Sequence, residues 1–245
     1  MTEALATVAR AAREESLYRG IRVLEVPARQ LFEYDGRGQL AVHPDAHANR
    51  RVLARAILAS EACQRVTSGV SLRDSMKYDA KSDSGMLYAA GAKFIVAARA
   101  DTDGVHVDGF AFVCNLKPAV VEPAVLRALD GKLPAKALYL ELICATPHTG
   151  VATVVLMHLV RKLTTKTVTG VLAHAVNKKS RDLLSKHGYA LATPRRDVFY
   201  LSAADARRDA ARYDALLRRG DAVRDLCTRT GQTRATRGRI YWDCA

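Results

Sequence analysis

The chain is short of acid. Its 245 residues carry 25 Asp and Glu against 38 Lys and Arg, a formal net charge of +13. Such an imbalance asks for an anionic partner or environment, and nucleic acid is one reading of it on charge alone. No recognisable nucleic-acid reader motif accompanies that charge. Five cysteines, Cys63, Cys114, Cys144, Cys227 and Cys244, show no CxxC and no Cys/His ligand spacing, which argues against a structural metal. Their odd number fits reduced thiols in an intracellular, cytoplasmic setting. The first twenty residues contain Arg10, Arg13, Glu14 and Glu15 and lack an apolar core, so no secretory signal is expected. The span from Leu142 to Val160 has no charge, and about 20 apolar residues would cross a bilayer. Thr146, Pro147, His148, Thr149, Gly150 and Thr153 interrupt it, so no membrane segment is expected. Internal repeats, heptads and low-complexity blocks are missing as well.

At 49% hydrophobic residues the chain can bury a substantial core, with one main domain as the length prior. The most informative stretch is Leu138 to Tyr189. From Ala137 to Ala145 aliphatic, aromatic and β-branched residues run without a helix-like polar stripe, and Pro147 closes the run, which predicts a buried strand ending near Thr146. From Gly150 to Leu163 good helix formers take over, with Arg161 and Lys162 in the last turn where cations suit the helix dipole. The turn between them carries Thr149, Gly150 and Ala152, small enough for a ligand to approach the backbone at an anion-attracting helix start. Thr167 to Val176 predicts another strand. Asn177 to Gly188 predicts a helix with Asn177 at its cap and Gly188 at its stop.

This strand–turn–helix–strand–helix, with Asn177, Ser180, Leu183, Leu184, Lys186, Gly188 and Tyr189 at their spacing, resembles the acyl-CoA-binding core of the GNAT superfamily of N-acetyltransferases. The resemblance implies an α/β GNAT fold: a mixed, mainly antiparallel central sheet flanked by helices, whose two parallel strands part to admit the pantetheine arm. It implies acetyl-CoA as co-substrate and direct attack of an amine on the thioester. It places backbone groups of Ile143, Cys144 and Ala145 along the arm, amides of Thr149, Gly150, Val151, Ala152 and Thr153 at the pyrophosphate, and Asn177 on the arm's far side. The chain departs from the family pattern twice. Pro147 stands where the pyrophosphate loop usually has Gln or Arg, and Leu184 stands where many members have a thiolate-protonating Tyr.

Glu141 is the sole carboxylate of the cofactor strand and the candidate general base, with its facing toward acceptor or helix layer left open by alternation. His148 and His174 are further titratable candidates, Ser180 and Tyr189 candidate thiol donors, and Cys144 a buried hydrophobe sooner than a nucleophile. The acceptor amine is of unknown class; a polycationic one is disfavoured by charge. Two other readings stand beside the enzyme: a degenerate GNAT-fold protein binding acyl-CoA or a partner without turnover, and a basic nucleic-acid-binding protein.

Around this core, residues 1–20 read as a helical extension, 21–202 as the acetyltransferase domain and 203–245 as a basic helical C-terminal appendage. Within the domain, Ile21 to Val26 predicts a strand, Ala46 to Val66 a helix, Gly69 to Gly85 an acceptor-side loop, and Lys93 to Ala100 with Val105 to Leu116 a hairpin around Asp101–Gly104. Asp197 to Ser202 predicts a strand, Ala203 to Arg219 a helix, and Ile240 to Trp242 a returning last strand.

Overall fold

The computed structural model describes residues 21–60, 62, 72, 76, 86–101, 104–146, 151–165, 168–193, 197–208, 233–236 and 239–242. A seven-stranded sheet has the order β1-β4-β5-β6-β7-β9-β8. Its strands are β1 (Arg22–Pro27), β4 (Lys93–Asp101), β5 (Gly104–Asn115), β6 (Leu138–Ala145), β7 (Gly170–His174), β8 (Ala190–Leu191) and β9 (Val198–Ser202). β6 and β7 are parallel, while β1–β4, β7–β9 and β8–β9 are antiparallel. The mixed, mainly antiparallel sheet expected from the resemblance is present. Two hairpins lie outside it: β2 (Phe32–Tyr34) with β3 (Leu40–Val42), and β10 (Thr233–Thr236) with β11 (Arg239–Trp242). The expected last strand at Ile240 to Trp242 therefore forms, but it pairs with β10 rather than with the main sheet.

The chain divides into two compact units. The first comprises Met1–Phe112 with Leu142–Pro147, the second Val113–Glu141 with His148–Ala245. In the first, Phe94 of β4 meets Phe32, Phe110 and Phe112 at ring-centroid distances of 5.2, 6.0 and 5.1 Å. Leu53, Ala54 and Ile57 of helix α1 (Ala48–Ala59) belong to the same core. Phe94 to Ala98 are buried on both faces of their strand, which is why the sequence runs apolar there without alternation. α1 is shorter than predicted: Ser60 is already extended.

The second unit carries α2 (Pro123–Ala128), α3 (Val151–Thr165) and α4 (Lys178–Lys186). In α3, Val151, Val154, Val155, Leu156, Met157, Leu159, Val160 and Leu163 are all buried, so the uncharged run at Leu142 to Val160 is a core strand followed by a core helix. No helix among the described residues is long and apolar enough to cross a membrane. α4 begins as its sequence dictates. Asn177 Oδ1 accepts from the Ser180 amide at 2.8 Å and Ser180 Oγ accepts from the Asn177 amide at 3.1 Å, a reciprocal capping box. It ends at Gly188, whose φ of 80° suits glycine. Ser202 caps the helix that opens at residue 203, its Oγ accepting from the Asp205 amide at 3.0 Å.

Candidate active site

The parallel register of β6 and β7 consists of Leu138–Val171, Tyr139–Leu172 and Leu140–Ala173. β7 ends one residue later, at His174, whereas β6 continues to Ala145. Glu141 is therefore the first β6 residue past the paired segment, and His174 occupies the next register position on β7. Paired residues of parallel strands share a face, and so do residues two apart on one strand. Tyr139, Glu141, Leu172 and His174 thus lie on one side of the sheet.

β6 also carries an irregularity. The Leu116 amide donates to Ala137 O, and the Thr146 amide to Asp108 O, both at 2.8 Å. Between these bonds β6 advances nine residues, from 137 to 146, while β5 advances eight, from 108 to 116. One extra residue on β6 is a β-bulge, a device that bends a strand and re-aims its side chains.

Glu141 is half-buried. Burial, and after it the negative charge of Glu122, push its carboxyl up to about 7, partly offset by a hydrogen bond from the Tyr139 side chain, which favours the anion. Tyr139 is itself buried, and burial with the neighbouring carboxylates pushes its phenol well above the usual range, so it stays protonated and donates. Cys114 is a free thiol pushed up to about 12 by burial and by Glu141, which makes it an inert neighbour. Glu122 stands at the N-cap of α2 with its side chain 53% exposed. Its Oε2 lies 3.4 Å from Nδ1 of His174, whose side chain is 19% exposed.

The remaining predicted residues are placed as follows. Ile143 and Ala145 are half-buried at the end of β6, in the stretch assigned to the first unit. Cys144 is buried in that unit's core and is disulfide-bonded. Cys114 is the other described cysteine and is free, so the partner of Cys144 lies outside the described residues. The expectation of reduced thiols is corrected at Cys144, and a nucleophilic role there is excluded, because its sulfur is already in a covalent bond. Thr149 and Gly150, with His148, lie outside the described residues. Val151 is buried at the start of α3, and Ala152 beside it is half-buried. The Thr153 hydroxyl is buried and sits 3.2 Å from Nε2 of His187, the C-cap residue of α4. Burial, and then the charge of Lys186, push the imidazole of His187 down to about 4, so it is neutral at physiological pH. The Ser180 hydroxyl donates to Asn177 O at 2.8 Å and belongs to the cap. Leu184 and Tyr189 are buried. No group of three or more His, Cys, Asp or Glu side chains able to hold a metal occurs among the described residues.

Sequence reading named Glu141 and His174 separately and missed Glu122. Its only local signal is a Glu-Pro helix start, with Pro123 suited to the first helical position.

No protein-family model matches the chain, and no curated protein matches it. Solved structures do. A mutant of the toxin AtaT, bound to the C-terminus of the antitoxin AtaR and acetyl-CoA, is 12% identical, with 77% of this chain and 97% of that chain covered and a TM-score of 0.42. AtaTR bound with AcCoA gives 11% identity, 78% and 98% coverage and a TM-score of 0.41. A mutant of KacT gives 10%, 77% and 98%, and 0.41. Likeness at this identity and TM-score bears on neither activity nor partners. The mixed, mainly antiparallel sheet and the parallel β6–β7 pair, seen in this chain itself, are what the GNAT resemblance implied.

Proposed function

We propose that the chain is an acetyl-CoA-dependent N-acetyltransferase, its catalytic domain spanning residues 21–202, which transfers the acetyl group to a primary amine by direct attack with Glu141 as general base. The observation that carries this reading is a half-buried carboxylate, pushed up to about 7, on the first residue of β6 beyond its parallel partner. Such a group is partly ionised at neutral pH and still basic enough to take a proton from an ammonium ion, the compromise that general-base catalysis favours. Tyr139 holds the carboxylate in place through its hydrogen bond.

Several groups of the chain fit acetyl-CoA as substrate. Main chain of Ile143, Cys144 and Ala145, further along the strand that carries Glu141, would line the pantetheine arm and supply an amide for the developing oxyanion. Amides from Thr149, Gly150, Val151, Ala152 and Thr153 would receive the pyrophosphate, since the first amides of a helix have no intrahelical acceptor. The side chains of Val151 and Thr153 are buried, which leaves that role to backbone. Asn177 uses its carbonyl oxygen in the α4 cap, so a contact with the arm falls to its amide group. Truncating side chains at 151–153 is then expected to change affinity little.

Leu184 supports a second reading, in which acyl-CoA or a partner is bound without turnover. It stands in place of the family's usual acid and is 3% exposed, a core residue that donates nothing. An amine panel with acetyl-CoA, read by mass spectrometry beside calorimetric titration with acetyl-CoA and desulfo-CoA, separates the two. Acetylated amine supports the first reading, whereas tight cofactor binding with no acetylated product supports the second.

A further inference from the structure

We propose that Glu141, His174 and Glu122 form one proton-sharing chain that leads from β6 to the exposed head of α2, with His174 and Glu122 as positioning residues that clear the proton Glu141 accepts. The inference rests on the reading of Glu141 as a base and names the route by which that base is regenerated. A half-buried carboxylate that has taken a proton must lose it before the next turnover, and its hydrogen-bond partner Tyr139 cannot accept one, because the phenol is itself protonated and buried. His174 occupies the adjacent register position on the same face of the neighbouring strand. Its Nδ1 is buried, has no hydrogen-bond partner among the described residues, and lies 3.4 Å from Glu122 Oε2, close enough for a small ring rotation to make the bond. Glu122 is 53% exposed and meets solvent. Its charge also acts on both Tyr139 and Glu141, so it is the neighbour common to all members of the cluster.

The steps balance without a further reactant. An acceptor ammonium N–H bond breaks as an O–H bond forms on Glu141. That proton passes through solvent to Nε2 of His174, Nδ1–H of the imidazolium is released to Glu122, Glu122 returns the proton to water, and exchange of the ring proton with water restores the Nδ1–H tautomer for the next turnover. Glu122 faces His174 from the head of α2, while Tyr139 on β6 and Cys114 on β5 are the further titratable groups that interact with Glu141. On the β9 side Val198 pairs with His174, and the neighbouring Asp197 is engaged by Arg181 at 2.9 Å.

The test is an NMR titration of the full chain, following the imidazole nitrogens of His174 and the carboxyl carbon of Glu141. In the wild type His174 should titrate in two steps, one coincident with Glu141, and Glu141→Gln should reduce this to one step. A single step at His174 that is unchanged in folded Glu141→Gln would overturn the proposal. The kinetic arm uses His174→Gln: kcat should fall roughly tenfold or more with KM unchanged, and added imidazole buffer should restore it. A fall that buffer does not restore marks His174 as merely structural and also overturns the proposal. If the wild type transfers no acetyl group, the functional reading fails by itself, and the titration still decides whether the three residues share protons.

Discussion

At the residue scale, burial and charge act together on one carboxylate, that of Glu141. Between pH 4.5 and about 7 the folded chain keeps a proton on Glu141 that the unfolded chain has released, so this group makes the fold less stable as pH rises through that window. Glu141→Gln removes the loss. Urea denaturation at a series of pH values should show the variant gaining on the wild type from pH 4.5 to about 7 and holding a constant advantage above. A difference independent of pH would mean that the carboxyl is not raised. Tyr139→Phe acts the other way on ionisation: without the hydrogen bond that favours the anion, the carboxyl moves further up, and the acid limb of the rate profile shifts to higher pH. A carboxyl-carbon NMR titration of Glu141 in that variant checks the direction without requiring turnover.

At the scale of elements, the junction between α3 and α4 rests on a neutral, buried histidine. His187 is 2% exposed and bonded to Thr153, and its imidazole must be charged in the unfolded chain once pH drops below 6.5. Stability is therefore lost as pH falls from 6.5 to about 4, by an amount of order 3 kcal/mol for this group. In His187→Gln that loss should be missing from acid denaturation curves, whatever the offset at neutral pH. β7 has a tight point of its own at Gly170. A Cβ there would collide with Leu201 O and with the ring of Tyr200, which crosses over the glycine to donate to Thr169 O at 3.0 Å. Gly170→Ala should cost roughly 1–3 kcal/mol in chemical denaturation, the usual effect of forcing extra volume into a packed site.

These elements also show what sequence alone can convey. β6, α3 and α4 were legible because long apolar runs and cap residues are local signals; Asn177 and Gly188 sit where their chemistry placed them. The hairpin of β4 and β5 was legible from Asp103-Gly104 between two apolar runs. β8, two exposed residues at the sheet edge, leaves no pattern to read. The bulge in β6 was equally silent, since it emerges only from comparing two strands. At the candidate site the carboxylate was legible as the lone acid on an apolar strand. Glu122 was not: it precedes Glu141 by nineteen positions, and only the placement of α2 brings its charge to bear on that carboxyl.

At the scale of the whole molecule the +13 charge favours any phosphate-bearing ligand, and it is screened by salt. Coenzyme A binding should weaken as ionic strength rises yet remain saturable at physiological salt, whereas a purely electrostatic affinity for oligonucleotides should fall far more steeply. Calorimetric titration of both ligands across a salt series measures the contrast. Equal salt slopes would move the account toward a general polyanion binder. The most direct test joins cofactor, acceptor and base: an amine panel incubated with acetyl-CoA and either wild-type chain or Glu141→Gln, with acetylated product quantified by mass spectrometry at several pH values. The account predicts that the wild type acetylates at least one amine with a rate rising through about pH 7, and that Glu141→Gln, still binding acetyl-CoA, is slower by roughly 10²-fold or more with the loss shrinking toward the amine's own pKa. Product formed equally fast by both proteins across that pH range, or by neither, would contradict it.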